Sequence, residues 1–212
     1  MVLMKYGLPE AFHLLQNPPK KLEWKTMVDK KVNQFWIDSL VEDKKSKSSL
    51  NLMSVNTYKI GQCHPVLKTV RPNPIDVEQA AIKAKILTGT YTLQSNRAKF
   101  NQHEVDPTCL LCKEGPENRQ HFILTCKLTE PAMKKFLTKI IDTVQSSKLD
   151  VDVSNLPTLL QLVVDCSGII GVNPQYEVLR KDIEIFSREL VYNSIHIYHS
   201  RLLGAMHKAR SG

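Results

Sequence analysis

Apolar side chains recur at helical spacing along most of the chain. Between residues 20 and 47, Trp24, Val28, Phe35 and Leu40 recur at near-helical intervals, while charged side chains take much of the opposite face. We interpret this aromatic stripe as core packing. The same criterion predicts further helices over residues 10–17, 73–89, 92–100, 128–145, 154–166 and 174–208.

The helix predicted over residues 73–89 has the clearest ends. Asn73 or Asp76 can cap its N-terminus, and Gly89 follows its last turn. Its predicted core face consists of Val77, Ala80, Ala81, Ala84 and Leu87. With the helix over 92–100 it forms either a helix-turn-helix or, as we favour, a simple packing pair.

These elements predict a mainly α protein, an irregular helical bundle with an embedded small zinc knuckle and a long C-terminal helix. The polar stretch that ends at Gly61 and Pro65 predicts a connecting segment and a plausible boundary between two parts of the chain. This stretch could contain one short strand. Four segments follow from the pattern: 1–60 N-terminal helical, 61–108 basic helical, 109–127 zinc knuckle and 128–212 C-terminal helical.

Basic side chains are unevenly distributed. The formal net charge is +8, residues 51–100 carry seven basic and two acidic side chains, and residues 101–212 carry thirteen of each. A polyanion such as RNA or DNA is the natural partner of such a segment, and a merely solvated basic surface is the alternative.

The chain has no apolar run long enough for a membrane span and begins with no leader pattern. Three of its five cysteines lie within eighteen positions that also contain a histidine, which favours metal binding over disulfides. We therefore expect a reducing compartment, cytoplasm or nucleus, and neither secretion nor a membrane partner.

The segment CLLCKEGPENRQHFILTC contains the most informative motif. Cys109, Cys112, His121 and Cys126 follow the spacing Cys-x2-Cys-x8-His-x4-Cys, with a turn at Gly115 and Pro116 and a short helix predicted from Glu117. Three sulfurs and one imidazole complete a tetrahedral zinc shell, and a closed shell is structural, not catalytic. His103, six residues before Cys109, could substitute as a ligand of that site. The alternative to a metal site is a set of buried reduced cysteines beside a surface histidine.

Six basic residues are predicted to contact nucleic-acid phosphates. They are Lys83, Lys85, Arg97, Lys99, Lys113 and Arg119. Phosphate contacts supply affinity without sequence specificity. For Phe122 we favour core packing over base stacking.

Other candidate residues give weaker predictions. His196 and His199 stand three apart on the last helix and are interpreted as surface histidines and not as a second metal site or a nuclease site. Cys63 and His64 lack partners at ligand spacing, and Cys166 is predicted to be a small buried hydrophobe. No glycine-rich phosphate loop or nucleophile elbow is present, so we expect no enzymatic activity and no small-molecule substrate.

The cysteine segment and the preceding ILTGTYTLQSNRAKFN resemble the extreme C-terminal tail of reverse transcriptase polyproteins of invertebrate non-LTR retrotransposons. The resemblance covers residues 60–145 and extends upstream through LPEAFHLLQNPPKKLEWKTMVDKKVNQFW. It implies a Cys-Cys-His-Cys knuckle at the four residues named above, RNA or target DNA as ligand, and the remainder of such a polyprotein as a partner.

Two departures limit that resemblance. Eight residues separate Cys112 from His121, whereas retroviral knuckles have four, so their base-pocket geometry does not carry over. No Asp-Asp pair for polymerase metals exists in the chain.

The sequence thus predicts a zinc-dependent nucleic-acid-binding module without the polymerase. The alternative is a helical protein-interaction or dimerisation module in which zinc only stabilises the helices and the apolar stripe of the last helix binds the partner.

Overall fold

Helices are the only extended regular elements in the described part of the chain, which confirms the mainly α prediction. The computed structural model describes residues 2–55, 61–101 and 104–210, except the side chains of residues 132, 199, 201–203 and 205–210. Two units are present, an N-terminal unit of residues 1–51 and 55–62, and a C-terminal unit of residues 52–54 and 63–212.

In its described residues, the N-terminal unit contains three α-helices and a short 3-10 helix. They are α1 (Val2–Lys5), α2 (Ala11–Gln16), α3 (Lys21–Ser46) and the 3-10 helix Ser48–Leu50. The rings of Tyr6 and Phe35 pack edge to face with centroids 4.9 Å apart. The aromatic stripe of α3 is only half-buried, and no residue of α3 is fully buried. The core packing predicted for this stripe is therefore only partial among the described residues, because its side chains keep part of their surface exposed.

The C-terminal unit contains the remaining helices. They are α4 (Pro65–Lys68), α5 (Pro74–Leu87), α6 (Gln94–Phe100), a π-helical turn (His121–Thr125), α7 (Glu130–Ser146), α8 (Leu156–Asp165), α9 (Ser167–Ile170), a 3-10 turn (Pro174–Tyr176) and α10 (Glu177–Arg210). Asn73 caps α5, because its side chain accepts a hydrogen bond from the amide of Asp76 at 2.9 Å.

The core of this unit forms around α10. The helix packs against α4, α5, α7, α8 and the π-helical turn. Ile183, Leu190, Val191 and Tyr198 on α10 are buried, as are apolar side chains from each of its neighbours. The apolar stripe that suggested a dimerisation surface is thus covered by the chain itself between residues 179 and 198.

A polar cluster lies inside this core. Lys83 of α5 donates hydrogen bonds to Glu184 and Ser187 of α10, and none of the three side chains has measurable exposure. The Cys166 thiol donates to the second Glu184 oxygen at 3.3 Å. Cys166 is therefore buried as predicted, but with a charged neighbour, which together with burial raises the pKa of its thiol.

Candidate metal centre

The four predicted ligands converge on one point. The donor atoms of Cys109, Cys112, His121 and Cys126 all lie within 4.8 Å of one another. Cys112 Sγ and His121 Nε2 are 3.2 Å apart. Metal–sulfur bonds of about 2.3 Å and a metal–nitrogen bond of about 2.0 Å in a tetrahedral shell separate the sulfur and nitrogen atoms by about 3.5 Å. The cluster can therefore hold one metal ion with small side-chain adjustments.

A tight turn presents the first two cysteines. The amide of Cys109 donates to Gly115 O at 2.8 Å, and the amide of Lys113 donates to Cys109 O at 3.1 Å. Thr108 and Pro116 form an antiparallel bridge across the base of the loop. Lys113 has a φ of 60°, a left-handed conformation that closes the turn at a cost to a residue with a side chain.

A π-helical turn presents the other two ligands. The amide of Cys126 donates to His121 O at 2.9 Å, which is the five-residue hydrogen bond of a π-helix. In an α-helix, side chains five positions apart point about 140° away from each other. The wider π-helical turn brings both side chains towards the same point, so it accounts for a His-x4-Cys pair that converges with the other two cysteines.

Burial controls the protonation of the ligands. Cys109 and Cys126 are buried, whereas Cys112 and His121 are half-buried. Burial raises the pKa of the Cys109 thiol to about 12, so this thiol keeps its proton at neutral pH unless a cation replaces it. Burial lowers the pKa of His121 and outweighs the carboxylates of Glu117 and Glu114, which act to raise it. The lowered pKa favours the neutral imidazole, the form that binds metals.

Glu117 connects the candidate metal-binding loop, residues 109–126, to the helices around it. Its carboxylate accepts hydrogen bonds from the amides of Gln94 and Leu110 at 3.1 and 3.3 Å, and from the Tyr198 hydroxyl at 2.6 Å. Its side chain is almost fully buried. Leu110 directly follows Cys109, so one carboxylate orients the first ligand, the start of α6 and the far part of α10 together.

The apolar residues after His121 fix the loop to the core. Phe122 is buried, as predicted, and so are Ile123 and Leu124. Phe122 packs edge to face on Tyr198 with ring centroids 5.3 Å apart, and it also contacts the ring of Tyr91. The base-stacking alternative for Phe122 is therefore wrong, because the ring has no free face.

The predicted phosphate-binding residues divide into two groups. Lys85, Arg97, Lys99 and Lys113 are exposed on the C-terminal unit. Lys83 is fully buried and paired with Glu184, so its assignment to nucleic-acid binding is wrong. The guanidinium of Arg119 is half-buried and donates to the carbonyls of Ile86 and Leu87 at 3.4 Å, so it satisfies the C-terminal carbonyls of α5.

The remaining candidates that the structure describes are not part of the cluster. His196 is exposed and its ring packs on Tyr192. His103 and the side chain of His199 lie outside the described residues. His64 accepts a hydrogen bond from the amide of Val66, and its Nε2 lies 3.4 Å from the Asp165 carboxylate.

Sequence reasoning missed Glu117 and the Lys83–Glu184 pair. Glu117 looks like an ordinary loop carboxylate, and its partners are 7, 23 and 81 positions away. The signal for Lys83 was available, since it lies three positions after Ala80 and three before Ile86, on the face that is buried.

Comparison with protein-family models, with curated protein sequences and with solved structures found no match to this chain. Within the described residues, no helix combines the length and the apolar character that a membrane span requires.

Proposed function

We propose that the Cys109, Cys112, His121 and Cys126 cluster binds one zinc ion, and that this ion stabilises a nucleic-acid-binding module. The main support for a metal site is that the four donor atoms lie within 4.8 Å of one another. Three thiolates and an imidazole suit zinc, and carboxylate-rich or all-oxygen shells suit calcium and magnesium. Four protein ligands leave no position for a catalytic water, which supports a structural, non-enzymatic role.

The exposed cations support nucleic acid as the ligand. Lys85, Arg97, Lys99 and Lys113 are exposed, and the positive excess of the chain lies in its first hundred residues. Among the described residues none of these four has an acidic partner within 4.0 Å. Unpaired cations on one unit bind a phosphate backbone and release its counterions.

The resemblance to the tail of retrotransposon reverse transcriptases belongs to the same proposal. It supplies RNA or target DNA as the ligand class, the rest of such a polyprotein as a partner, and the cytoplasm or nucleus as the compartment. A reducing compartment also favours metal binding through three thiolates, because it keeps the cysteines from forming disulfides.

The proposal is tested by measuring nucleic-acid affinity with the metal present, removed and restored. Fluorescence anisotropy with labelled RNA and DNA is recorded for the purified full chain, for the chelated protein and after zinc is added back. We expect binding that falls steeply with salt and is lost on chelation. The Cys63→Ser variant is the matched control, since Cys63 is exposed and outside the cluster. Absence of binding in the zinc-loaded protein at low salt would refute the nucleic-acid part of the proposal.

A further inference from the structure

Helix α6 carries an exposed phenylalanine among cations. Phe100 is 85% exposed, although the helix has its own buried contacts through Gln94 and Ala98. Arg97 and Lys99 on the same helix are exposed. A single exposed apolar residue is ordinary on a protein surface, so the exposed ring alone does not indicate a binding site. The two exposed cations on the same short helix distinguish Phe100 from other exposed apolar residues.

The spacing on the helix places Phe100 and one cation on the same face. Arg97 and Phe100 are both exposed and three positions apart, and the Arg97 guanidinium also donates to the Gln94 side-chain oxygen at 3.5 Å. Lys99 lies next to Phe100 in the chain. An aromatic face with flanking positive charges is the arrangement by which proteins bind single strands, since the ring stacks on a base and the cations contact phosphates.

The metal-binding loop fixes this helix. The amide of Gln94, the first residue of α6, donates to the Glu117 carboxylate, and the amide of Ser95 donates to Glu117 O at 3.3 Å. The Asn96 side chain donates to the carbonyls of Gly89 and Tyr91. None of these bonds involves Phe100, so its exposed ring is not required to keep α6 in place.

We infer that Phe100, with Arg97 and Lys99, forms a stacking site for one unpaired base of a single-stranded nucleic acid. The inference rests on the proposed function and narrows its ligand from nucleic acid in general to the single-stranded form. A duplex offers its phosphates to the two cations, but its bases are already stacked on each other and leave no face for the ring.

The test compares variants of the zinc-loaded full chain on a short labelled single-stranded RNA and on its duplex. Phe100→Leu keeps an apolar side chain without a ring, and Phe100→Tyr keeps the ring. We expect Phe100→Leu to weaken single-strand binding about 5- to 100-fold at an unchanged salt slope. Phe100→Tyr stays close to the parent, and duplex binding by Phe100→Leu is unchanged.

The cation variant reports on the electrostatic part of binding. Arg97→Ala with Lys99→Ala reduces the salt slope for single strands by about 0.7 for each phosphate that is no longer neutralised. Phe12→Leu is the matched control, because Phe12 is 65% exposed on α2, a helix without lysine or arginine. Thermal denaturation verifies that the Phe100 variants remain folded.

The outcomes separate this inference from the proposed function. If the parent binds RNA and Phe100→Leu binds the single strand equally well, the stacking site is wrong and the proposed function stands. Equal losses for Phe100→Leu and Phe100→Tyr, or equal losses on single strand and duplex, also overturn the stacking site. If the zinc-loaded parent binds neither RNA form, the proposed function itself fails.

Discussion

Among the regions of the C-terminal unit that bury polar side chains, the loop of residues 109–126 differs from the interface between α5 and α10. At the interface, Lys83 and Glu184 neutralise each other inside the core. In the loop, Cys109 and Cys126 are equally buried, and their sulfur atoms lie within 4.8 Å of the donor atoms of Cys112 and His121. The interface is electrostatically complete by itself, whereas on our proposal the loop is completed by a bound ion.

The largest difference between the regions is expected on metal removal. Chelation should disorder the loop, because an ion bound by such a shell contributes on the order of 10 kcal/mol. Hydrogen exchange should then accelerate at the amides of Cys109, Lys113 and Cys126, whose acceptors lie within the loop. Amides of α5 and of α10 before residue 190 should remain protected.

Variants give the same comparison without a chelator. Cys126→Ser should reproduce the exchange pattern of the chelated protein, and Cys63→Ser should not. If the loop amides keep their protection after complete metal removal, the loop is stable by itself and the contrast with the interface disappears.

The interface should respond to loss of one charge and tolerate loss of both. Lys83→Met leaves the buried Glu184 carboxylate without its counter-charge and should lower the free energy of unfolding by about 3–5 kcal/mol. Adding Glu184→Leu should recover most of that loss, since two apolar side chains of similar size replace the pair. Urea unfolding of the metal-loaded protein measures both effects.

An exposed ion pair provides the control for that experiment. Lys68 and Glu177 lie 2.9 Å apart with both side chains more than half exposed. Lys68→Met should change the unfolding midpoint little, because solvent screens such pairs. A Lys83→Met variant as stable as Lys68→Met would mean that Lys83 is not held in the interior.

Acid should affect the loop before it affects the helical core. Burial raises the pKa of Cys109 to about 12, so metal binding displaces a proton there, and the apparent metal affinity should fall about tenfold or more per pH unit. Burial opposes ionisation of Asp165, but hydrogen bonds from His64, Ser167 and Ser54 outweigh it and lower the Asp165 pKa. The stabilisation from Asp165 is therefore present above the ordinary carboxyl pKa and is lost only below it.

A titration from about pH 7 to about pH 5 separates the two responses. Metal affinity, measured by competition with a chelating dye, should decrease throughout this range. Helix content, measured by circular dichroism, should stay constant until the carboxylates protonate. A metal affinity independent of pH would contradict thiolate ligation.

The smallest predicted effects come from two lysines with left-handed backbone. Lys113 has a φ of 60° in the loop, and Lys148 has a φ of 59° after α7. Glycine at either position removes the steric cost but adds unfolded-state entropy, for a net gain of about 0.5 kcal/mol. Lys148→Gly should raise the melting temperature with or without metal, and Lys113→Gly only with metal. A gain from Lys113→Gly in the chelated protein would show that the turn persists without the ion.

Helix positions and the four residues of the candidate metal site were predictable because both depend on local spacing. The cap at Asn73, the bounds of α7 and the length of α10 followed from periodicity and end signals. The four ligands followed from cysteine and histidine spacing. The buried face of α5 was predicted one position out of phase, because alanines at Ala80, Ala81 and Ala84 leave the stripe ambiguous and a lysine was assumed to face solvent.

Long-range partners account for what sequence reasoning did not find. Lys83 is buried because Glu184, 101 positions later, lies opposite it on α10. Glu117 is buried because three donors from separate elements surround it. The π-helical turn could have been inferred, since the x4 spacing of His121 and Cys126 does not bring both side chains to one ion on an α-helix.

X-ray absorption at the zinc edge, combined with native mass spectrometry of protein purified under reducing conditions, tests the metal centre most directly. We predict one zinc ion per chain with three sulfur neighbours at about 2.3 Å and one nitrogen neighbour. Metal-free protein that takes up no zinc, or a bound ion surrounded mainly by oxygen, would contradict the account.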